Sequence, residues 1–343
     1  MWQLMISLDK NILNKDSSAA RRMIEYGKEN KLVIIIPASS KLVINLSDPV
    51  QVQTSGGRNK VSQFFSLLKL ASQVIKQSDS STTEKWVTTQ DPFFTGLIGW
   101  YLKKKFGIKL EIQVHGDFFG SQYYKNQLLK LWLGRVVLRR ADKIRTVGER
   151  VSRSLINLGV RKNFINIRPI SLEVQPQGRK ALPPTPVVRC HIDKENTLFK
   201  DFPGYGKYFV WGGRMEPVKN LLWLVDIFSE VVKKKRNYLL LLIGAGSEKV
   251  KLLKEVKNLK LENNVRFIPW VDSLIPYIIN ADCVLFPSLS EGCGLVAVEA
   301  VAAGTPVIMN DVGVANYELQ SSEKIKIISV SDRQKWLVEI LKI

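Results

Sequence analysis

The sequence has few of the residues from which disulfide frameworks and metal sites are built. Its 343 residues include three cysteines, and the odd number and wide spacing of Cys190, Cys283 and Cys293 argue against a disulfide framework or a zinc-type cysteine cluster. The two histidines, His115 and His191, argue against a histidine-rich metal site. This usage is typical of a protein from a reducing cytosol.

Long apolar runs are also missing. The first ten residues lack the basic start and long apolar stretch of a secretory signal peptide. No run approaches the roughly 18 apolar residues that predict a membrane-spanning helix. The sequence therefore predicts a cytoplasmic protein that at most rests on the inner face of the cell membrane.

Acidic residues are scarce in the first half of the chain. Residues 1–175 hold 28 Lys and Arg against 13 Asp and Glu, whereas the remainder holds 23 against 18. Most of the net charge of +20 therefore lies in the first half. We expect that half to meet something anionic, such as phospholipid, nucleic acid or a phosphorylated acceptor.

Strands and helices alternate along the chain, which predicts an α/β protein with parallel sheets covered on both faces. Its length suits two domains, which we place at 1–172 and 208–343, joined by a proline-rich linker at 173–207. The strands predicted for the first domain are Leu4–Ser7, Leu32–Ile36, Trp86–Thr89, Leu110–His115, Lys143–Thr146 and Phe164–Ile167. Those predicted for the second are Tyr208–Trp211, Tyr238–Ile243, Val265–Ile268, Cys283–Phe286 and Pro306–Met309.

A glycine-rich turn between a strand and a helix carries the sharpest functional signal. The amides of Gly294, Leu295 and Val296 head a predicted helix, and a helix N-terminus attracts phosphate. Glu291 precedes that helix and Glu299 lies about one turn inside it. Ionised carboxylates are pure acceptors, which suits the hydroxyls of a sugar and of a ribose. The alternative is that both glutamates are ordinary residues at a helix end and on an exposed helix face.

A second motif supports an anionic ligand. Gly213 and Arg214 follow a predicted strand, and Lys219 lies where Pro217 is predicted to open a helix. A cation at a helix start opposes the helix dipole, and a bound anion would remove that conflict. Arg214 can grip phosphate oxygens bidentately and Lys219 adds a compact charge. Taken alone, both residues could equally be solvated surface charges.

Together these motifs resemble the retaining glycosyltransferases of family 4. The matching elements run in order from Gly213-Arg214 and Lys219, through Gly244-Ala245-Gly246, to Glu291, Glu299 and Pro306. The resemblance implies the GT-B fold, in which two Rossmann-like domains with parallel sheets face a central cleft. His115-Gly116-Asp117, at the end of a predicted strand, resembles an element of the family's first domain.

The resemblance also implies a role for each matching position. The sugar donor would be a nucleoside-diphosphate-sugar and the acceptor a glycan or lipid-linked hydroxyl, in cell-surface polysaccharide, lipopolysaccharide or glycolipid synthesis. The implied site residues are Arg214, Lys219, Gly213, Gly294, Leu295 and Val296 for the diphosphate, Glu299 for the ribose, Phe267, Ile268 and Pro269 beside the base, and Glu291 and His115 at the transferred sugar. His115 is equally well interpreted as a buried structural histidine.

The charges of this site suggest how the reaction would run without a metal. Arg214, Lys219 and the helix amides can stabilise the charge of a leaving nucleoside diphosphate. No Asp-x-Asp segment, the usual bridge from a metal to a diphosphate, is present. We therefore predict a metal-independent enzyme without a cofactor, and the resemblance implies retention at the anomeric carbon.

The sequence departs from the family pattern in two places. The first loop, Lys15–Ala19, lacks the usual glycines, and Ser18 is our candidate for a phosphate contact there. The chain ends at Ile343 soon after a short predicted helix, so we expect a donor domain that is truncated at its C-terminus.

One helix of the first domain is predicted to be basic and amphipathic. Tyr123–Arg140 combines leucines and Trp132 with five Lys and Arg, a composition that can lie on an anionic membrane. The alternative, which we prefer slightly, is a core-facing helix with solvated basic residues.

Two other functional classes remain open. A nucleotide-sugar epimerase on the same fold would share the donor cleft but would need its own acid and base. A non-enzymatic basic protein that binds membrane or RNA would explain the charge but not the glutamates beside Arg214 and Lys219. We do not expect nucleic acid as a partner.

Overall fold

The computed structural model describes residues 1–78, 84–169 and 201–343, and these residues form two compact units. The first unit comprises residues 1–115, 126–146 and 152–168. The second comprises 116–125, 147–151, 169 and 201–343. Most of the linker predicted at 173–207, with Cys190 and His191, lies outside the described residues, so the predicted domain boundaries stay a prediction.

The first unit contains an eight-stranded sheet in the order β3-β4-β2-β1-β5-β6-β7-β8. Its strands are β1 (Trp2–Ile6), β2 (Lys31–Ile36), β3 (Val43–Ser47), β4 (Val50–Thr54), β5 (Lys85–Thr89), β6 (Lys109–Val114), β7 (Lys143–Thr146) and β8 (Ile165–Ile167). All neighbours are parallel except β3, which runs antiparallel to β4 at the edge. The six strands predicted from the sequence are present, within a few residues at their ends.

The hairpin of β3 and β4 was missed because its sequence lacks a continuous apolar run. In β4, Val50 and Val52 are buried while Gln51 and Gln53 between them are only partly buried. This alternation is short and flanked by polar residues, so it resembles a loop in the sequence.

The helices of the first unit lie on both faces of its sheet. They are α1 (Ser18–Gly27), α2 (Lys60–Gln77), α3 (Phe94–Phe106) and α4 (Leu128–Leu138), and α5 (Glu149–Asn157) begins in residues of the second unit. Parallel connections are right-handed, so α2, α3 and α4, which lead toward β8, share one face. The connection through α1 runs the other way along the sheet and places α1 on the opposite face.

The second unit contains a six-stranded, fully parallel sheet in the order β11-β10-β9-β12-β13-β14. Its strands are β9 (Lys207–Arg214), β10 (Tyr238–Ala245), β11 (Val265–Ile268), β12 (Cys283–Phe286), β13 (Val307–Met309) and β14 (Ile325–Ile327). The strands predicted here are confirmed, and β14, with only three half-buried residues, was missed. The order reverses between β9 and β12, as in a Rossmann-type sheet.

The helices of this unit bury a large apolar core. They are α6 (Leu221–Lys234), α7 (Lys249–Asn258), α8 (Ile275–Asn280), α9 (Leu295–Ala303) and α10 (Arg333–Lys342). In α10, Trp336 is fully buried and its ring packs edge-on against Trp223 of α6, with 5.2 Å between ring centroids. Arg333 adds ion pairs to Asp226 and Glu230. The last helix is therefore an integral part of the second unit. Within the described ranges, no helix is both long and apolar enough to cross a bilayer.

Candidate donor-binding site

The candidate site lies where the strand order of the second sheet reverses. β9 and β12 are neighbours there, and their connections leave toward opposite edges of the sheet. In open parallel sheets, ligands bind in the crevice beyond the carboxyl ends of such a strand pair. A hydrogen bond of 2.8 Å from the amide of Leu289 to the carbonyl of Val218 joins the two loops.

The structure brings two predicted site residues from these loops into direct contact. The Nζ atom of Lys219 lies 2.5 Å from Oε1 of Glu291. Both side chains are largely buried, with exposed fractions of 18% and 12%. Because solvent screens a buried pair poorly, each charge holds the other in position at the mouth of the site.

The backbone around Lys219 differs from the sequence prediction. Pro217–Lys219 forms a 3-10 turn, and α6 begins only at Leu221. Asn220 separates the two because its backbone is left-handed, with φ of 59°. Placing Lys219 at the start of a long helix was therefore wrong, and its charge is balanced by Glu291.

Arg214 ends β9 and remains available for a ligand. Its side chain is exposed, and it makes no ion pair or hydrogen bond with another residue of the described ranges. The charges of Arg214 and Glu291 both act on the hydroxyl of Tyr124. Burial raises the pKa of this hydroxyl, the charge of Glu291 raises it further, and the charge of Arg214 lowers it. Arg214 and Glu291 are therefore close enough to act on one group between them.

Glycines let the loops at the ends of β9 and β10 approach each other. The backbone of Gly244 has φ of 135°, and a Cβ atom there would lie 1.9 Å from the carbonyl oxygen of Gly213. Gly213 itself has φ of 143°. Only glycine meets both requirements at these positions.

The N-terminus of α9 offers backbone amides to an anion. Its N-cap is Gly294, left-handed with φ of 89°, which has no side chain to cap the helix. The amides of Leu295 and Val296 follow in the first turn, where intrahelical acceptors are lacking. The helix start predicted at Gly294 is therefore present, and phosphate binding by its amides stays a prediction.

Glu299 lies in α9, and its carboxyl is largely buried. No hydrogen-bond partner of its carboxylate is found in the described residues, and burial raises its pKa to about 7. A buried carboxylate without donors is unfavourable, and two neighbouring hydroxyls of a ribose would supply them. The exposed-helix alternative for Glu299 is wrong.

The predicted base-bordering segment lies at the end of the edge strand. Phe267 and Ile268 pair with Leu242 and Ile243 of β10 and are half-buried, and Pro269 is exposed. Trp270, which the sequence reasoning missed, is 58% exposed immediately beyond. An exposed aromatic ring after a strand end was the signal that could have found it.

Beside Glu291, the second unit contains a cavity of about 510 Å³. Its lining includes Asp117, Ser290, Glu291 and Asn310. Asn310 was missed by sequence reasoning; its Nδ2 donates to the carbonyl of Ser288 at 2.8 Å and positions the loop before Glu291. The cavity thus extends the site away from the phosphate-binding turn.

Two predicted residues belong to the first unit, not to the second. His115 follows β6, where its Nε2 lies 3.0 Å from Oε1 of Gln113. Ser18 is the first residue of α1, and its side chain lies outside what the structure describes. Ser17, the N-cap of that helix, accepts a hydrogen bond from the amide of Ala20.

A metal site was not expected, and the described residues offer none. Within 1–78, 84–169 and 201–343, no group of three or more His, Cys, Asp or Glu is placed to hold a metal ion. Cys293, beside Glu291, is largely buried, and this burial raises its pKa to about 12. Metal independence of the reaction remains a prediction.

The second unit matches a known protein family. Residues 206–343 match the family described as "Glycosyl transferases group 1". D-inositol 3-phosphate glycosyltransferase of Jonesia denitrificans is 33% identical over 138 residues, which cover 38% of this chain and 32% of that protein. N-acetyl-alpha-D-glucosaminyl L-malate synthase of Bacillus anthracis is 33% identical over 128 residues, 36% of this chain and 33% of that protein. The match spans about a third of the length of these curated relatives.

Solved structures resemble the chain over its whole length. HepE of Anabaena in complex with UDP has a TM-score of 0.71 at 15% identity, covering 100% of this chain and 89% of that one. Sucrose-phosphate synthase of Thermosynechococcus elongatus has a TM-score of 0.76 at 16% identity, with the same coverage. Residues 206–343 therefore match the glycosyl transferases group 1 family, and the whole chain has the GT-B fold of these structures.

Proposed function

We propose that this protein is a glycosyltransferase that moves a sugar from a nucleoside-diphosphate-sugar to a hydroxyl acceptor, with retention at the anomeric carbon and without a metal. The contact between Lys219 and Glu291 at the switch point of the second sheet carries the proposal. It joins a phosphate-binding cation to a sugar-binding carboxylate. The family match of residues 206–343 supports the same activity.

The chemistry follows from the charges around this pair. The bond between C1 of the sugar and the phosphate oxygen breaks, and negative charge grows on the leaving diphosphate. The oxygen of the acceptor hydroxyl forms a bond to C1, and its proton passes to the diphosphate. The unpaired guanidinium of Arg214, the ammonium of Lys219 and the first amides of α9 are fixed donors for that charge. Glu291 accepts hydrogen bonds from the transferred sugar and Glu299 from the ribose.

We propose a uridine nucleotide as the donor. HepE, which shares the fold, was solved with UDP, and this supports UDP over the other diphosphates. Thermal shifts of the full chain with UDP, GDP and ADP test the choice, because a ligand that binds only the folded state stabilises it. Stabilisation by GDP or ADP alone would overturn it.

Product analysis tests the reaction class. The protein is incubated with the UDP-sugar that gives the largest thermal shift and with a panel of glycan and lipid acceptors. Release of UDP together with a glycosylated acceptor is expected. An isomerised sugar nucleotide without UDP release would identify an epimerase instead. Binding to RNA or membranes with no chemistry on any UDP-sugar would contradict an enzyme.

We further propose that the acceptor is presented at a membrane surface and serves cell-surface polysaccharide or glycolipid synthesis. The preferred expectation that α4 faces the core is right only for its last turns, where Val137 and Leu138 are buried. Leu128, Leu129 and Trp132 in its first turns are exposed by 74%, 78% and 60%. A large exposed apolar patch of this kind marks a binding surface.

Charge on the neighbouring helices indicates which surface this is. α2, α3 and α4 contain no Asp or Glu, and they carry Lys60, Lys69, Lys76, Lys103, Lys104, Lys105, Lys130 and Arg135. α2 touches α3 through Phe64 and Phe94, whose ring centroids lie 5.4 Å apart, and the guanidinium of Arg140, two residues beyond α4, lies 4.5 Å from the centroid of the Trp100 ring of α3. Exposed Val61 and Phe65 extend the apolar surface onto α2. A basic, apolar face fits the anionic inner leaflet of a membrane.

A further inference from the structure

A cluster of positive side chains lies in the first unit, on the sheet face that α1 covers. Arg145 of β7 is 8% exposed and lies opposite Gln113 of β6. Its Nη2 donates to the hydroxyl of Tyr26 at 2.7 Å, and its guanidinium carbon lies 4.9 Å from the Tyr26 ring centroid. Tyr26 of α1 therefore fixes the orientation of this guanidinium.

Two guanidinium groups in the cluster have a buried donor without an acceptor. Nε of Arg145 and Nε of Arg22 are both buried, and neither has a hydrogen-bond partner within the described part of the chain. Leaving such a donor unsatisfied destabilises the fold, and the effect is larger when the group is charged, as both guanidinium groups are. An acceptor that reaches both nitrogens would remove both penalties.

The cluster also lacks a counter-charge. Arg22, Arg145 and Arg168 form no ion pair with another residue of 1–78, 84–169 or 201–343, and the carboxylate nearby on the same sheet face, Glu111, pairs with Lys143 at 3.5 Å. Arg168, beyond β8, lies 5.7 Å from the centroid of the Tyr26 ring that Arg145 also contacts. Two guanidinium groups, those of Arg145 and Arg168, therefore lie beside one neutral ring.

The pKa of His115 is affected by two arginines of this cluster. His115 follows β6, and burial of its ring is the main reason why its pKa is lowered to about 4; the positive charges of Arg145 and Arg22 lower it further. The charges that act on it are all positive, so the ends of β6, β7 and β8 form a positive region. An anion bound there would favour the protonated form of His115, which would add another donor.

We propose that Arg22, Arg145, Arg168 and His115 form a binding site for a phosphoryl group. A phosphoryl group offers several acceptor oxygens to the fork of donors on a guanidinium, and its charge balances the arginines. The ligand is either free inorganic phosphate or a phosphorylated sugar. For a transferase, the phosphorylated sugar is the acceptor, and this assignment alone rests on the function proposed above.

Titration calorimetry of the full chain with inorganic phosphate, glucose 6-phosphate and uncharged glucose tests the site. Inorganic phosphate and glucose 6-phosphate are expected to bind, and glucose is not. If glucose 6-phosphate binds more tightly than inorganic phosphate, the ligand is a phosphorylated sugar. If the two bind equally, the ligand is free phosphate. Arg145→Gln and Arg22→Gln should each raise the Kd for phosphate about tenfold or more, since a charge-assisted hydrogen bond is lost. Arg161→Gln, an exposed arginine on the Phe164 ring in the same unit, is the matched control and should bind as wild type.

A second readout separates this site from the donor site and from loss of the fold. Removing one cation relieves repulsion, so Arg22→Gln should melt at or above the wild-type temperature without ligand. UDP should stabilise both variants as it stabilises wild type. The site is overturned if wild type binds neither phosphate, if both variants bind phosphate unchanged, or if they lose UDP and phosphate together. Absence of UDP binding in wild type with phosphate binding intact would count against the donor site alone.

Discussion

The ammonium of Lys219 and the carboxylate of Glu291 touch across the switch point of the second sheet, although 72 residues separate them. Each belongs to a different strand-end loop, and each is largely shielded from water. The pair holds a cation and a pure acceptor in adjacent positions. A sugar phosphate needs both groups in adjacent positions.

Removing the cation of this pair should weaken donor binding. Lys219→Ala is expected to raise the Kd for UDP roughly 10- to 100-fold, the value of one charge-assisted contact of about 1.5–3 kcal/mol. Glu291→Gln should keep UDP binding and lose sugar transfer, since in the proposed site that carboxylate binds the transferred sugar and not the uridine diphosphate. Calorimetry with UDP and a transfer assay measure the two effects.

Lys207 provides the control for this experiment. It lies at the other end of the same strand and pairs with Asp282 at 2.9 Å. Lys207→Ala should leave the Kd for UDP unchanged. If it weakens UDP binding as much as Lys219→Ala does, the effect comes from general destabilisation and Lys219 has no specific role.

The raised pKa of Glu299 predicts how stability depends on pH. Between its ordinary value of 4.5 and about 7, the folded protein keeps the proton that the unfolded chain releases, so this group makes stability fall as pH rises through that window. Glu299→Gln should therefore have a larger free energy of unfolding than wild type at pH 8, by on the order of 1–3 kcal/mol, and melt at a higher temperature. At pH 4 the two proteins should melt at about the same temperature. Thermal melts at both pH values measure this; an equal difference at both would contradict a buried ionising carboxyl.

The same variant should bind UDP more weakly at pH 8. An ionised Glu299 accepts hydrogen bonds from both ribose hydroxyls, whereas a neutral amide oxygen accepts weaker ones. Wild-type affinity should also rise as pH increases through about 7, because the ribose favours the ionised form. A pH-independent affinity in wild type would count against Glu299 as the ribose acceptor.

Alanine at two glycines should separate backbone strain from steric overlap. Gly213 and Gly244 have similar φ values of 143° and 135°, so alanine is strained at both. A Cβ at Gly213 meets only the Trp211 ring at 3.6 Å, whereas at Gly244 it would lie 1.9 Å from a carbonyl oxygen. Gly244→Ala should therefore melt clearly below Gly213→Ala in calorimetry. Equal melting temperatures would show that the two loops are not in contact.

Acidic residues in place of two exposed apolar residues of α4 should weaken membrane binding. The double variant Leu128→Glu with Trp132→Glu is expected to lower co-sedimentation with phosphatidylglycerol vesicles about tenfold or more, because two apolar anchors are lost and like charges face the lipid. Val250→Glu, at a position 78% exposed on α7, is the matched control and should sediment as wild type. Equal binding of wild type to phosphatidylcholine vesicles, or no effect of raised salt, would contradict an anionic partner.

Strand β10 of the second unit illustrates what local patterns reveal. Tyr238–Ala245 is a buried apolar run that ends in glycine, and such a run is read directly as an interior parallel strand. The edge hairpin of β3 and β4 was missed because partners outside the segment decide whether its short alternation is a strand. The start of α6 was placed too early because asparagine adopts the left-handed conformation only occasionally, so the residue type alone does not show that Asn220 interrupts the helix.

The amino-acid order alone established the α/β class, the glycine turns, the anion-attracting helix start at Gly294 and the excess of positive charge in the first half. Each of these is a local or compositional property, so no tertiary contact is needed to see it. Folding settled the rest: that Lys219 pairs with Glu291, that the carboxyl of Glu299 is buried, that Leu128, Leu129 and Trp132 face solvent, and that Arg145 and Arg168 lie beside the Tyr26 ring. These relationships depend on which strands become neighbours and which helix face is covered, and long-range packing decides both.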